Sequence, residues 1–187
     1  PGSQIRVDET ARAYGISATP VREALARLAG ERLVQGCRRQ GYGVPRYSGV
    51  ELANLYQLSE MYLLAALRLR RGAFETNAVP HEPDAGRGRQ GLAHHFMDIL
   101  VSSGSNFLID AGALVLERLA TARQGETSVL ELDLELEREQ LAQLLTDASD
   151  AALAKAIRQY HRVRRGEAHR IAATFLAPGS EYIRDML

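Results

Sequence analysis

The stretch GISATPVREALARLAGERLV, residues 15–34, decides how this chain is read. Gly15 reads as a helix stop, and ISATP after it reads as a turn. Ser17 or Thr19 can cap a second helix, with Pro20 in its first turn. Val21, Ala24, Leu25 and Leu28 recur at i, i+3, i+4 and i+7, which predicts one apolar face. Thr19, Arg22 and Ala26 fall on the other face, and Glu23 and Arg27 stand four apart as an ion pair. Upstream, VDETARAYG (7–15) predicts a short helix with Ala11 and Tyr14 turned inward.

Working outward, LVQGCRRQGYGVPRY (33–47) holds two short β-prone runs, 33–37 and 42–44, on either side of RRQG. This predicts a hairpin with a basic tip, Gly41 and Gly43 permitting the turn. Ser48 and Glu51 form an S-x-x-E capping box that opens a helix to about residue 70. Residues 72–91 are rich in Gly and Pro, lack any period and read as a loop. Helical patterns follow at 92–102, 107–121 and 132–146. Asp147, Ser149 or Asp150 then caps a last helix to about residue 175. The fold class is mainly α. A winged helix-turn-helix with a β-hairpin wing spans 1–47, and a C-terminal antiparallel helical bundle spans 48–187.

Composition agrees. Aromatic residues are 6% and Trp is absent, so Leu and Ala must fill the core, as helices prefer. Cys37 is the single cysteine, which rules out an internal disulfide and fits a reducing cytosol. No charged start followed by an apolar run reads as a leader, and no apolar run approaches the ~20 residues that span a bilayer. The zero net charge is uneven. Residues 1–47 carry eight Arg against four Asp and Glu, a net of +4. Residues 48–187 carry 15 basic and 19 acidic groups, a net of −4. A basic module joined to an acidic one suits a nucleic-acid reader attached to something else.

An α-helix fits the DNA major groove, and residues near its N-terminus reach base edges. Small Ser17, Ala18 and Thr19 let that helix end come close to phosphates, and its free N–H groups bind anions. Arg22, one turn in, can take guanine O6 and N7 together. Arg38, Arg39, Gln40 and Gly41 at the hairpin tip can reach a backbone or a minor groove. The plainer reading keeps each arginine as a solvated surface charge.

PGSQIRVDETARAYGISATPVREALARLAGERLVQGCRRQGYGV closely resembles the winged helix-turn-helix of GntR-type bacterial transcription regulators. The match runs through S-x-T-P-V-R-E-A-L-x-R-L at 17–28 and G-x-G-V at 41–44. The helical remainder resembles the ligand-sensing FCD domain of the FadR-like branch. The resemblance implies DNA contacts at Ser17, Thr19, Arg22 and the wing around Gln40 and Gly41, and one more helix ahead of Pro1. Ala18 stands where the family commonly has Arg, and Asp8 where it often has a basic contact residue.

Many FCD domains hold a divalent metal, zinc or nickel in type, with one Asp and three His. By the resemblance the Asp position reads Ala93, the first His position Met97 and the second Glu139; only His161 matches. Two ligand-facing positions of the first bundle helix, usually Arg and Glu, read Ser59 and Leu63. An improvised site from His94, Asp98, Glu139 and His161 is the alternative, and it needs a rotation of about 100° to turn His94 and Asp98 inward. Against it stands His161 as a core histidine. Ser59, Tyr62, Met97, Glu139 and His161 are the candidate effector-pocket residues, and plain core packing is the competing reading.

The expectation is therefore a DNA-binding regulator in the cytoplasm, not an enzyme. It would bind a palindromic operator as a homodimer, respond to a small-molecule effector and use no membrane. The alternative is a constitutive DNA-binding protein whose bundle only dimerises, without effector or metal.

Overall fold

A computed structural model of the 187-residue chain describes residues 2–37, 41–73, 91–131, 133–147 and 149–175. The head begins with strand β1 (Gln4–Ile5), then helices α1 (Val7–Tyr14) and α2 (Ala18–Gly30), then the hairpin strands β2 (Gln35–Cys37) and β3 (Gly41–Gly43). The sheet order is β1-β3-β2, all antiparallel, with Gln4 opposite Gly43 and Gln35 opposite Gly43 on the two sides of β3. The two-residue β1 gives no sequence signal; it exists because β3 offers it a ladder.

Gly15 ends α1 in the left-handed region, φ 65°, which costs a glycine little. Its N–H bonds back to Arg12 O and that of Ile16 to Ala11 O, so the two helices are held by a closed backbone turn. Ala11, Val21, Leu25 and Val34 form the head core, with Ile5, Val7, Leu28, Ala29 and Tyr42 packed around it. Three expectations are corrected here. Tyr14 is 76% exposed, because α1 stops at it and the chain turns away. Ala24 is exposed, and the apolar stripe of α2 runs through Val21 and Leu25 instead. Arg27 pairs with Glu31 at 3.3 Å rather than with Glu23, which places the cation in the last turn of α2.

The bundle comprises α3 (Gly49–Ala73), α4 (Leu92–Val101), α5 (Asn106–Val129), α6 (Leu134–Asp147) and α7 (Asp150–Ala173). The capping box forms as read: Ser48 N–H and Oγ both bond Glu51 Oε2 at 2.8 Å. Ser149 is the cap of α7 and accepts from Ala152 N–H. α3 lies along α7 and α5, α4 packs on α5 and α3, and α6 leans on α7 and α4. Two apolar cores result. One is built on Leu52, Tyr56, Leu119 and Ile171, the other on Leu63, Phe96, Leu100, Leu153 and Ile157, and Tyr62 touches both. α5 runs two turns beyond the predicted end, because Glu126, polar in the sequence, is buried there at 3% exposure. Among the described residues no helix is long and apolar enough to cross a membrane. Most of the Gly- and Pro-rich stretch and the tail after residue 175 lie outside the described residues.

Candidate nucleic-acid interface

The start of α2 is left open. Ser17 occupies the cap position, yet its side chain accepts no capping bond, so the hydroxyl and the first N–H groups of α2 face outward. Thr19 and Arg22 are exposed and make no hydrogen bond or ion pair among the described residues. Val21 and Leu25, on the opposite side, anchor the helix to α1 and the sheet. This is one helix end carrying a hydroxyl pair, free N–H donors and a guanidinium, held on a rigid frame. A phosphate at the helix end and a base edge at Arg22 fit that arrangement.

The wing is set beside it by the β2–β3 pairing. Arg38, Arg39 and Gln40 lie outside the described residues. Gly41 is exposed with φ 90°, and a Cβ there would come 3.0 Å from Ile5 O, so both conformation and space call for glycine. Gly43 does not share this: it sits in β3 without a positive φ and is buried.

The residues expected to hold a metal do not come together. His161 is fully buried; Nδ1 lies 2.7 Å from Ile157 O and Nε2 3.0 Å from Ser59 Oγ. A carbonyl only accepts, so Nδ1 carries the proton and Nε2 accepts from the Ser59 hydroxyl. Both nitrogens are then engaged. Burial pushes the His161 pKa down to about 3; the Ile157 carbonyl opposes this, while Arg164, Arg123 and Arg165 reinforce it. His94 and Asp98 face each other at 3.5 Å on a half-exposed side of α4, and Glu139 is exposed. Among the described residues no three His, Cys, Asp or Glu side chains gather. The site does not fit a resident metal, because the helix rotation that would turn His94 and Asp98 inward is not made.

The expected effector-pocket residues divide the same way. Ser59 and His161 bond each other, the second ring nitrogen of His161 is taken by Ile157 O, Tyr62 and Met97 pack against the apolar core, and Glu139 faces solvent. Phe96 stacks on His161 with 5.6 Å between ring centroids, and Tyr160 meets it edge-on at 4.8 Å. The space is filled. An opening of about 250 Å³ lies elsewhere, between α3 and the start of α7, bordered by Leu67, Arg68, Asp150, Ala154 and Arg158. Pockets for small molecules are usually larger, ~300 Å³ and up.

What sequence reasoning missed is an ionic core. Arg164, 1% exposed, bonds Glu126 Oε2 through Nε at 2.8 Å and grips Glu137 with both terminal nitrogens, at 3.0 and 2.6 Å. Its guanidinium also lies 3.5 Å over the Tyr160 ring. Tyr56 Oη donates to Glu126 Oε1 at 2.6 Å. Burial works against the Arg164 charge, but Tyr160, Glu137 and Glu126 outweigh it and hold its pKa above the ordinary arginine value. Burial, and then Glu126, push the Tyr56 phenol well above its usual range. The sequence did carry a signal. Arg164 falls in the stripe Leu153, Ile157, Tyr160, Ala168, Ile171 of α7, where only an apolar residue or a paired charge can sit.

The described residues thus form a winged helix-turn-helix whose second helix has an open start, joined to a bundle of five helices. Residues 1–44 match the family described as bacterial regulatory proteins, gntR family. No curated protein matches the chain as a sequence. Solved structures share its fold, two of them over most of both chains. One is McbR/YncC of E. coli, at 16% identity over 91% of this chain and 88% of that one, with a TM-score of 0.62. The other is a GntR transcriptional regulator from Rhodococcus sp. RHA1, at 15% identity over 90% and 87%, with a TM-score of 0.62. Residues 1–44 thus match a gntR-family DNA-binding region, and the solved structures share the fold of the chain.

Proposed function

We propose that the chain works as a homodimer in the cytoplasm, reading a two-fold operator with residues 1–47 and using residues 48–187 to pair and to modulate the heads. The observation that carries this is the open start of α2, where Ser17, Thr19 and Arg22 stand outward and unpartnered. Arg22 takes a base edge, Ser17 and Thr19 position the backbone, and Arg38, Arg39, Gln40 and Gly41 follow the groove from the wing. Pairing is supported by an apolar face on α3: Leu58, Met61 and Leu69 are 37%, 57% and 48% exposed and share one side of the helix. A two-fold dimer sets the two α2 helices about one turn of DNA, roughly 34 Å, apart.

Modulation by a small molecule is supported by the ionic core. A buried Arg with two carboxylates adds little stability over an apolar filling. It does give α3, α5, α6 and α7 a shared polar centre whose geometry an effector can bias. The second reading, a constitutive binder whose bundle only dimerises, is favoured by the filled space around His161. The test is selection of duplexes from a random library by the full chain, with sizing of the complex, repeated in the presence of a metabolite panel. Two-fold sites bound by two chains support the proposal, and a shift in affinity with any metabolite separates the first reading from the second. Single half-sites bound by one chain sink it.

A further inference from the structure

Arg118 stands on α5, inside the bundle half of the chain, yet its guanidinium reaches the head. Nη2 donates at 2.7 Å to the carbonyl oxygen of Glu31, the residue that closes α2. That end of α2 is built in an unusual way. Arg32 N–H bonds Ala29 O at 3.0 Å and Leu33 N–H bonds Leu28 O at 2.9 Å, with Arg32 itself at φ 57°, the one described non-glycine with a positive φ. Those two bonds use the carbonyls of Ala29 and Leu28. The Glu31 carbonyl takes part in neither, and Arg118 supplies its donor from outside the head. A helix C-terminus carries about half a negative charge, so a guanidinium is the fitting partner.

The seam around this contact is thin. Neither α1 nor α2 packs along a bundle helix. Besides Arg118, the connector contributes Tyr47, half-buried against the bundle core and close enough to Arg118 to feel its charge. Where two units share a small polar interface, relative motion is the default, and one charged hydrogen bond then has leverage over orientation. On the same helix, eight residues on, Glu126 holds Tyr56 of α3 and Arg164 of α7. α5 therefore carries the ionic core near its C-terminal end and, about two turns earlier at mid-helix, the contact to the tail of α2.

We propose that Arg118 is a positioning residue for DNA recognition. It fixes the direction in which α2 is presented, and it is the contact through which a shift of α5 is passed to the head. The inference rests on the two-headed operator reading above. It makes a distinction that a merely structural role does not. One head on one half-site does not depend on its direction relative to the bundle. Two heads on a two-fold site do, because spacing then has to match.

The experiment uses the full chain as wild type, Arg118→Met and Glu31→Ala, with a half-site duplex chosen by the wild-type protein and two-fold duplexes whose spacers vary by single base pairs. The wild type is expected to prefer one spacing. Arg118→Met should lose about tenfold at that spacing, the scale of one charged hydrogen bond, and flatten the spacing profile. Its half-site affinity and salt slope should be unchanged, since Arg118 meets no phosphate. Glu31→Ala should behave as wild type, because the acceptor is the backbone carbonyl. If the Met variant is not folded, Arg118→Lys, which keeps the charge but loses the planar fork, should give an intermediate profile. An Arg118→Met or Lys profile identical to wild type overturns the role of Arg118. A lowered salt slope on the half-site also overturns it, since Arg118 would then be a DNA contact. A wild type without any spacing preference overturns the operator reading itself.

Discussion

His161 makes the acid stability of this protein predictable. It is fully buried, with Nδ1–H given to Ile157 O and Nε2 accepting from Ser59. Burial first, and then Arg164, Arg123 and Arg165, hold its pKa at about 3 despite the Ile157 carbonyl. In the unfolded chain it titrates near ~6.5. Between those values the unfolded chain takes up a proton that the folded chain refuses, so stability is complete above the unfolded value and falls as pH drops. The loss from this one group is about 1 kcal/mol at pH ~5.5 and about 3 kcal/mol at pH ~4.5. Other groups titrate in the same range, so the clean comparison is with His161→Gln, which cannot protonate. The variant starts less stable at neutral pH, having lost a fitted ring against Phe96 and Tyr160. Its deficit relative to wild type should then shrink by about 3 kcal/mol on going to pH ~4.5. Urea unfolding of both proteins followed by far-UV circular dichroism at several pH values reads this directly. A deficit that stays constant with pH refutes the claim that His161 is held neutral by its site.

Arg164→Met should cost about 3–5 kcal/mol, because Glu126, its side chain 4% exposed, is left buried without its cation. Calorimetry should show a fall of roughly 6–20 °C in melting temperature, and adding Glu126→Leu should restore most of it. Gly15→Ala should cost about 1 kcal/mol in urea unfolding. Nothing lies within 4 Å of a Cβ at that position, so the loss isolates the left-handed conformation. Arg22→Ala should weaken binding to a selected site by about 1–3 kcal/mol and relax preference at one base pair, read by competition binding; uniform weakening across all sequences would make Arg22 a phosphate contact instead.

The ionic core changes how the bundle is understood. The helix α7 that supplies His161 also supplies Arg164, one turn further on, and the two lie in the same buried row. One is kept neutral and the other charged by what surrounds each: a hydroxyl and a carbonyl around His161, two carboxylates around Arg164. Arg164, with Glu126, Glu137 and Tyr56, ties four bundle helices to a common centre.

Local chemistry was legible without coordinates. The left-handed Gly15, the Ser48–Glu51 capping box, the apolar side of α2 at Val21 and Leu25, and the outward Thr19 and Arg22 are all decided by neighbours within a few residues. Spacing alone therefore reveals them. Partners far apart in the chain were not legible. β1 needs β3, 39 residues away in the register Gln4 to Gly43. Ser59 meets His161 across 102 positions, Tyr56 meets Glu126 across 70, and Arg118 reaches Glu31 across 87. A polar residue in an apolar stripe announces that it must be satisfied, since leaving it bare in the core is too costly. Which group satisfies it is settled only when the helices pack, because that choice depends on the rotation and height of each helix against the next.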